Sequence, residues 1–144
     1  MQVSETVDVA AAPDRVWAVL VDVESWPTWT DSIESIRALD GAPTAMAEGS
    51  RYEVKQPRLP KAVWVVTELV DGRSFSWSAR GPGLVSFAEH RVEPSDGASR
   101  VTLLFSQEGP LAGPVSLAFG AMVRRYVRME AAGLKRRSEE SATG

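Results

Sequence analysis

The chain has 144 residues, 44% of them hydrophobic and 24% charged, the balance of a single globular domain with a core of useful volume. Sixteen Lys and Arg against nineteen Asp and Glu give a formal net charge of −3, so no basic excess supports a nucleic-acid binder. The lack of cysteine excludes disulfides, thiolate nucleophiles and zinc–thiolate sites, and a single histidine excludes a multi-histidine metal centre.

The opening MQVSETVDV alternates, which predicts a half-buried strand over Gln2–Val9 with Val3, Val7 and Val9 on one face and Glu5 interrupting it. It lacks the basic-then-apolar block of a secretory signal, and no apolar run approaches the ~18 residues of a membrane span. A cytoplasmic protein without a membrane span is therefore expected. In the next segment Pro13 suits a first helical position and Asp14 the positive end of the helix dipole. Val16, Leu20 and Val23 recur at helical spacing, with Trp17 and Val21 widening the stripe. Pro27 interrupts the pattern, predicting a second short helix or turn that carries Trp26 and Trp29.

From residue 33 to residue 108 the pattern is that of a β-meander. Strands are predicted at 33–39, 51–56, 62–69, 74–79, 85–93 and 99–108. Turn chemistry separates them at Asp40-Gly41, Glu48-Gly49, Pro57 and Pro60, Asp71-Gly72, Gly81-Pro82-Gly83 and Asp96-Gly97. Gly113-Pro114 then opens a long helix running to about Ser138, with Val115, Ala118, Phe119, Met122, Tyr126, Met129, Gly133 and Leu134 on its apolar stripe. The domain is expected to span 1–138, and the polar tail 139–144 to fray. An antiparallel sheet must cover one face, and this helix is the element large enough to do so. The expected fold class is α+β: a curved antiparallel sheet of about seven strands wrapped round the C-terminal helix.

Several stretches resemble one known family. APDRVWAVLVDVESWPTWTDSI, the pair Gly49-Ser50, EHRVEPSDGASRVTL and the GPLAGPV…LKRR ending are similar to polyketide cyclase/dehydrase-like proteins. These belong to the START and Bet v 1-like (SRPBCC) superfamily, whose scaffold is the helix-grip fold. The resemblance covers nearly the whole chain. It implies a hydrophobic small molecule held between sheet and helix, with no cofactor, and a monomer or homodimer. It leaves three functions open: a cyclase or dehydratase, a non-catalytic carrier or sensor of a lipid or quinone-like ligand, and an interaction module with a vestigial cavity.

Strand phasing adds residues to this picture. A two-residue Asp71-Gly72 loop would set Glu68 opposite Phe75, Val66 opposite Trp77 and Trp64 opposite Ala79. In the next hairpin, pairing Glu93 with Arg100 sets Val92 opposite Val101, His90 opposite Leu103 and Ala88 opposite Phe105. The alternation of 51–56 turns Tyr52, Val54 and Gln56 inward. Polar groups on the concave face are then His90, Tyr52, Gln56, Glu68 and, from the helix, Tyr126. Ser86, Ala88, Gly120 and Gly133 leave either room or close approach. The expected ligand set is Trp29, Tyr52, Trp64, Val66, Phe75, Trp77, Ala88, His90, Leu103, Phe105, Phe119, Met122 and Tyr126.

His90 has the one side chain that exchanges protons near neutral pH, which makes it the candidate acid–base group, with Tyr126 or Tyr52 steadying an enolate oxygen. A hydrogen-bonded, partly buried histidine with no catalytic duty is the competing reading. Tyr126 has its own: a core tyrosine with a satisfied hydroxyl. No phosphate-cradling glycine loop and no G-x-S-x-G elbow occurs in the sequence.

Overall fold

The computed structural model describes residues 1–39 and 45–142. Strand β1 (Gln2–Val9) leads into helix α1 (Pro13–Val21), with Pro13 in its first turn, and then a 3₁₀ segment (Val23–Thr28). The meander follows as β2 (Ser35–Ala38), β3 (Arg51–Lys55), β4 (Ala62–Val70), β5 (Ser74–Gly81), β6 (Leu84–Ser95) and β7 (Ala98–Glu108). Helix α2 (Ala112–Ala142) closes the chain. The sheet order is β1-β7-β6-β5-β4-β3-β2 with antiparallel pairing throughout, the helix-grip arrangement. The Asp40-Gly41 turn lies outside the described residues.

The β6–β7 hairpin has the register that alternation sets: Glu93 faces Arg100, Val92 faces Val101, His90 faces Leu103 and Ala88 faces Phe105. The β4–β5 hairpin departs from expectation near its turn. Its loop has three residues, closed by Arg73 N–H donating to Val70 O at 2.9 Å, with Gly72 at φ 76°. Val70 therefore faces Ser74, Leu69 faces Phe75 and Glu68 faces Ser76. A bulge between Val66 and Glu68 absorbs the shift and returns Val66 to Trp77. Glu68, expected at the end of the inward face, is exposed on the outer one. The turn is pinned from the concave side by Trp17, which meets the Phe75 ring edge-on and whose Nε1 donates to Asp71 Oδ1 at 3.2 Å.

Regular α-helix ends at Val21, and the short 3₁₀ segment that follows, with Pro27 inside it and Trp29 at its C-cap, drops Trp26 into the core. There its Nε1 donates to Leu20 O at 2.9 Å, so the indole is buried without a lost hydrogen bond. Trp26, Phe75, Trp77 and His90 form one aromatic cluster. The buried stripe of α2 runs through Val123, Val127, Ala131, Leu134 and Ser138, rotated one position from Met122 and Met129, which are half-buried. Burying each of these Val and Leu side chains contributes roughly 1.5–3 kcal/mol.

Two further features concern α2. It extends to Ala142, and Glu139 Oε2 accepts from Ala10 N at 2.8 Å and from Lys135 Nζ at 2.6 Å. Those two donors hold the Glu139 carboxyl below its ordinary range. Gly133 reflects close approach rather than spare volume. A Cβ there would collide with the carbonyl oxygen of Trp29 and come within 2.9 Å of its ring.

Candidate functional site

The concave face of the sheet is only partly filled. Near β1 and β7 the C-terminal half of α2 lies on it, and α1 and the 3₁₀ segment pack on the same side, with Trp26 at the cavity wall. Farther along, α2 stands away from β3–β6 and leaves an apolar cavity of about 370 Å³. Trp64, Trp77 and Ala88 line its sheet side together with Phe105. Phe119, Val123 and Tyr126 line its helix side, and Leu59 and Pro60 of the β3–β4 loop form its rim.

Seven of the thirteen expected ligand residues reach this space: Trp64, Trp77, Ala88, His90, Phe105, Phe119 and Tyr126. Six do not. Phe75, Val66 and Leu103 point inward but are covered by other side chains, at 0%, 1% and 3% exposure. Tyr52 packs beside Trp77, Trp29 is sealed beneath Gly133, and Met122 lies off the buried stripe. Facing the helix is thus necessary for lining the cavity but not sufficient.

His90 is 3% exposed and held by its surroundings. Its ring stacks on Phe75 with centroids 4.2 Å apart and meets the edges of Trp26 and Trp77. Nδ1 lies 3.3 Å from Phe75 O, and Nε2 lies 3.4 Å from Glu130 Oε1. Glu130, on α2, is a cavity-lining acid that sequence reading missed. It falls four residues after Tyr126, so it continues the pocket-facing row of the helix. Its Oε1 is buried with no hydrogen-bond partner.

Two other polar pairs border the cavity. Gln107 continues the inward alternation of Val101, Leu103 and Phe105. Its Nε2 donates to Ser86 Oγ at 3.2 Å, while its Oε1 is buried without a partner. Gln56 Nε2 donates to Ser32 O at 3.3 Å. The Tyr126 hydroxyl is already engaged, donating to Pro57 O at 2.6 Å, so it joins the helix to the β3–β4 loop. Steadying an enolate would require it to leave that carbonyl.

Among the described residues, no helix is long and apolar enough to cross a membrane. The family model described as polyketide cyclase / dehydrase and lipid transport matches residues 1–139. No curated protein matches the sequence. Among solved structures, a hypothetical protein, jhp0584, from Helicobacter pylori superposes with a TM-score of 0.82 at 19% identity, covering 96% of this chain and 88% of the other. A START superfamily protein from Mycobacterium smegmatis gives 0.71 at 17% identity, with 96% and 97% covered. Ara h 8.0201 gives 0.74 at 12% identity, also with 96% and 97% covered.

Proposed function

The chain belongs to the polyketide cyclase / dehydrase and lipid transport family, and we propose that it binds a hydrophobic small molecule in the cavity between the sheet and the stretch of α2 from Val115 to Glu130. The observation that carries this reading is the cavity itself: about 370 Å³ walled by Trp64, Trp77, Phe105 and Phe119. Packed interiors rarely keep a void of this size, and an aromatic-lined cleft with a few polar groups is the usual form of a small-molecule site. The binding residues in this reading are Trp64, Trp77, Ala88, His90, Phe105, Phe119 and Tyr126.

Carriage or sensing needs only this cavity. Acid–base chemistry on a poly-carbonyl substrate is the second reading, favoured by the adjacency of His90 and Glu130 at 3.4 Å. In that reading His90 moves the proton, and His90→Gln lowers turnover by ~10²–10⁴ while binding persists.

Native mass spectrometry of the purified protein tests binding directly by looking for a co-purified molecule. In parallel, an uncharged naphthalene-type dye should quench tryptophan fluorescence saturably, and Trp64→Phe with Trp77→Phe should reduce that quenching. Quenching that survives both substitutions would place the bound molecule elsewhere and overturn the assignment.

A further inference from the structure

The polar end of the cavity is short of a proton donor. Phe75 O can only accept, so the contact at Nδ1 uses an Nδ1–H. On the other side of the ring, Nε2 faces Glu130 Oε1 at 3.4 Å, too long or too poorly aligned for a closed charge-assisted hydrogen bond, and Oε1 is buried with no hydrogen-bond partner. A buried acceptor left open is costly, and native structures seldom carry one without a reason. Both atoms belong to residues that line the cavity.

From this the geometry points to a ligand class: an uncharged apolar molecule bearing a hydroxyl group, whose O–H donates to Glu130 Oε1 beside His90 Nε2. This rests on the hydrophobic-ligand reading and narrows it. A hydroxyl suits either state of the ring. If Nε2 carries a proton, it donates to the hydroxyl oxygen. If it does not, the hydroxyl proton separates two facing acceptors. A carboxylate suits neither state, because it would bring negative charge against Glu130. The other charged or titratable side chains lining the cavity are Arg58, in the exposed β3–β4 loop, and Tyr126, which donates to Pro57 O.

The far end of the cavity is consistent with an elongated molecule. Ser86 lies four residues before His90 on the same face of β6, ~13 Å away along the strand, with small Ala88 between them. Beside Ser86, the Gln107 amide presents its own unpartnered oxygen. A second polar group on the ligand would meet it there.

Naphthalene, 2-naphthol and 2-naphthoate, titrated separately into the intact protein by calorimetry at neutral pH, test the assignment. Binding of 2-naphthol about tenfold tighter than naphthalene is expected, the worth of one hydrogen bond, with 2-naphthoate weaker than 2-naphthol. In Glu130→Met, the affinity ratio of 2-naphthol to naphthalene should collapse to near unity. Equal affinities for naphthalene and 2-naphthol in the wild-type protein would overturn the hydroxyl assignment alone, as would 2-naphthoate binding as tightly as 2-naphthol or a ratio that persists in Glu130→Met. Failure of all three compounds to bind would overturn the hydrophobic-ligand reading together with it. The wild-type comparison needs no variant, so it stands even if Glu130→Met folds poorly.

Discussion

Between Gly133 and Glu139 helix α2 packs on the backbone of Trp29 and of the β1–α1 connection, whereas Val115, Phe119, Val123, Tyr126, Val127 and Glu130 border the cavity. In the C-terminal half Gly133 presses on the Trp29 carbonyl, Leu134 and Ser138 are fully buried, and Arg136 Nη2 donates to Trp29 O at 2.8 Å. Lys135 Nζ donates to Asp8 O at 2.9 Å, and Glu139 accepts from Ala10 N. In the N-terminal half Leu117 is 92% exposed, and Phe119 divides its surface between solvent and the cavity. One continuous helix therefore anchors the fold with one end and roofs a cavity with the other. The contrast teaches that stability and binding capacity can be placed on one element without competing, provided they occupy different turns.

The strongest way to break this comparison is at Gly133. Gly133→Val should cost about 3 kcal/mol or more, because the colliding atoms are backbone and cannot rotate aside. Denaturant unfolding would read the loss as a lower midpoint. An unchanged midpoint would mean that α2 can slide off Trp29, and the anchor would lie elsewhere.

A smaller effect is expected at Glu139, where hydrogen bonds favour the charged form and hold its carboxyl below the ordinary range. The unfolded chain then binds that proton more readily than the folded one, so stability rises with pH across the interval between the two values. The contribution is complete above the ordinary carboxylate range and is lost as pH falls through the lowered value. Glu139→Gln should therefore cost less than about 1 kcal/mol at neutral pH and nothing in strong acid. Unfolding curves of the two proteins should converge on acidification, and a constant gap would refute the charge-based account. The smallest effect belongs to the roofing half: Leu117→Ser should change stability by no more than about 0.5 kcal/mol. A larger loss would show that this half also bears on the fold.

How much of this could be read in advance depended on the kind of signal. The β6–β7 register was fully legible, because Glu89, Arg91 and Glu93 on one face and Val101, Leu103 and Phe105 opposite leave one consistent pairing. The β4–β5 register near its turn was not, since the extra residue Thr67 carries no mark of a bulge in a run of Val, Thr and Glu. The α2 stripe was displaced by one position because Met122 and Val123 are both apolar, and periodicity alone does not choose between neighbours at the edge of a face. His90 stood out as the sole imidazole. Glu130 did not, because a glutamate among arginines on a helix reads as solvated surface until the fold turns it toward His90. Period-2 alternation also could not say which inward side chains touch one another and which border empty space. That is why Phe75 and Leu103 were grouped with Trp77 and Phe105.

The hydrogen bond from Tyr126 to Pro57 has a kinetic consequence. Arg58, the next residue of that loop, holds φ 67° without being glycine, a conformation that costs on the order of 1–3 kcal/mol. Besides the Tyr126 bond, the neighbouring Lys55 Nζ, donating to Gln56 O and Leu59 O at 2.7 Å, and the Leu59 N–H, donating to Gln56 O at 3.2 Å, tie the loop. Short loops move in ns to μs. Releasing the anchored half of α2 would instead demand sub-global unfolding at a large share of the total stability. For a guest molecule held as proposed, opening this loop is a faster way out than releasing the anchor. Raising the melting temperature through the Gly133 contact would therefore leave the guest's rate of escape unchanged, while loosening one tyrosine hydroxyl would shorten its stay with little loss of thermal stability.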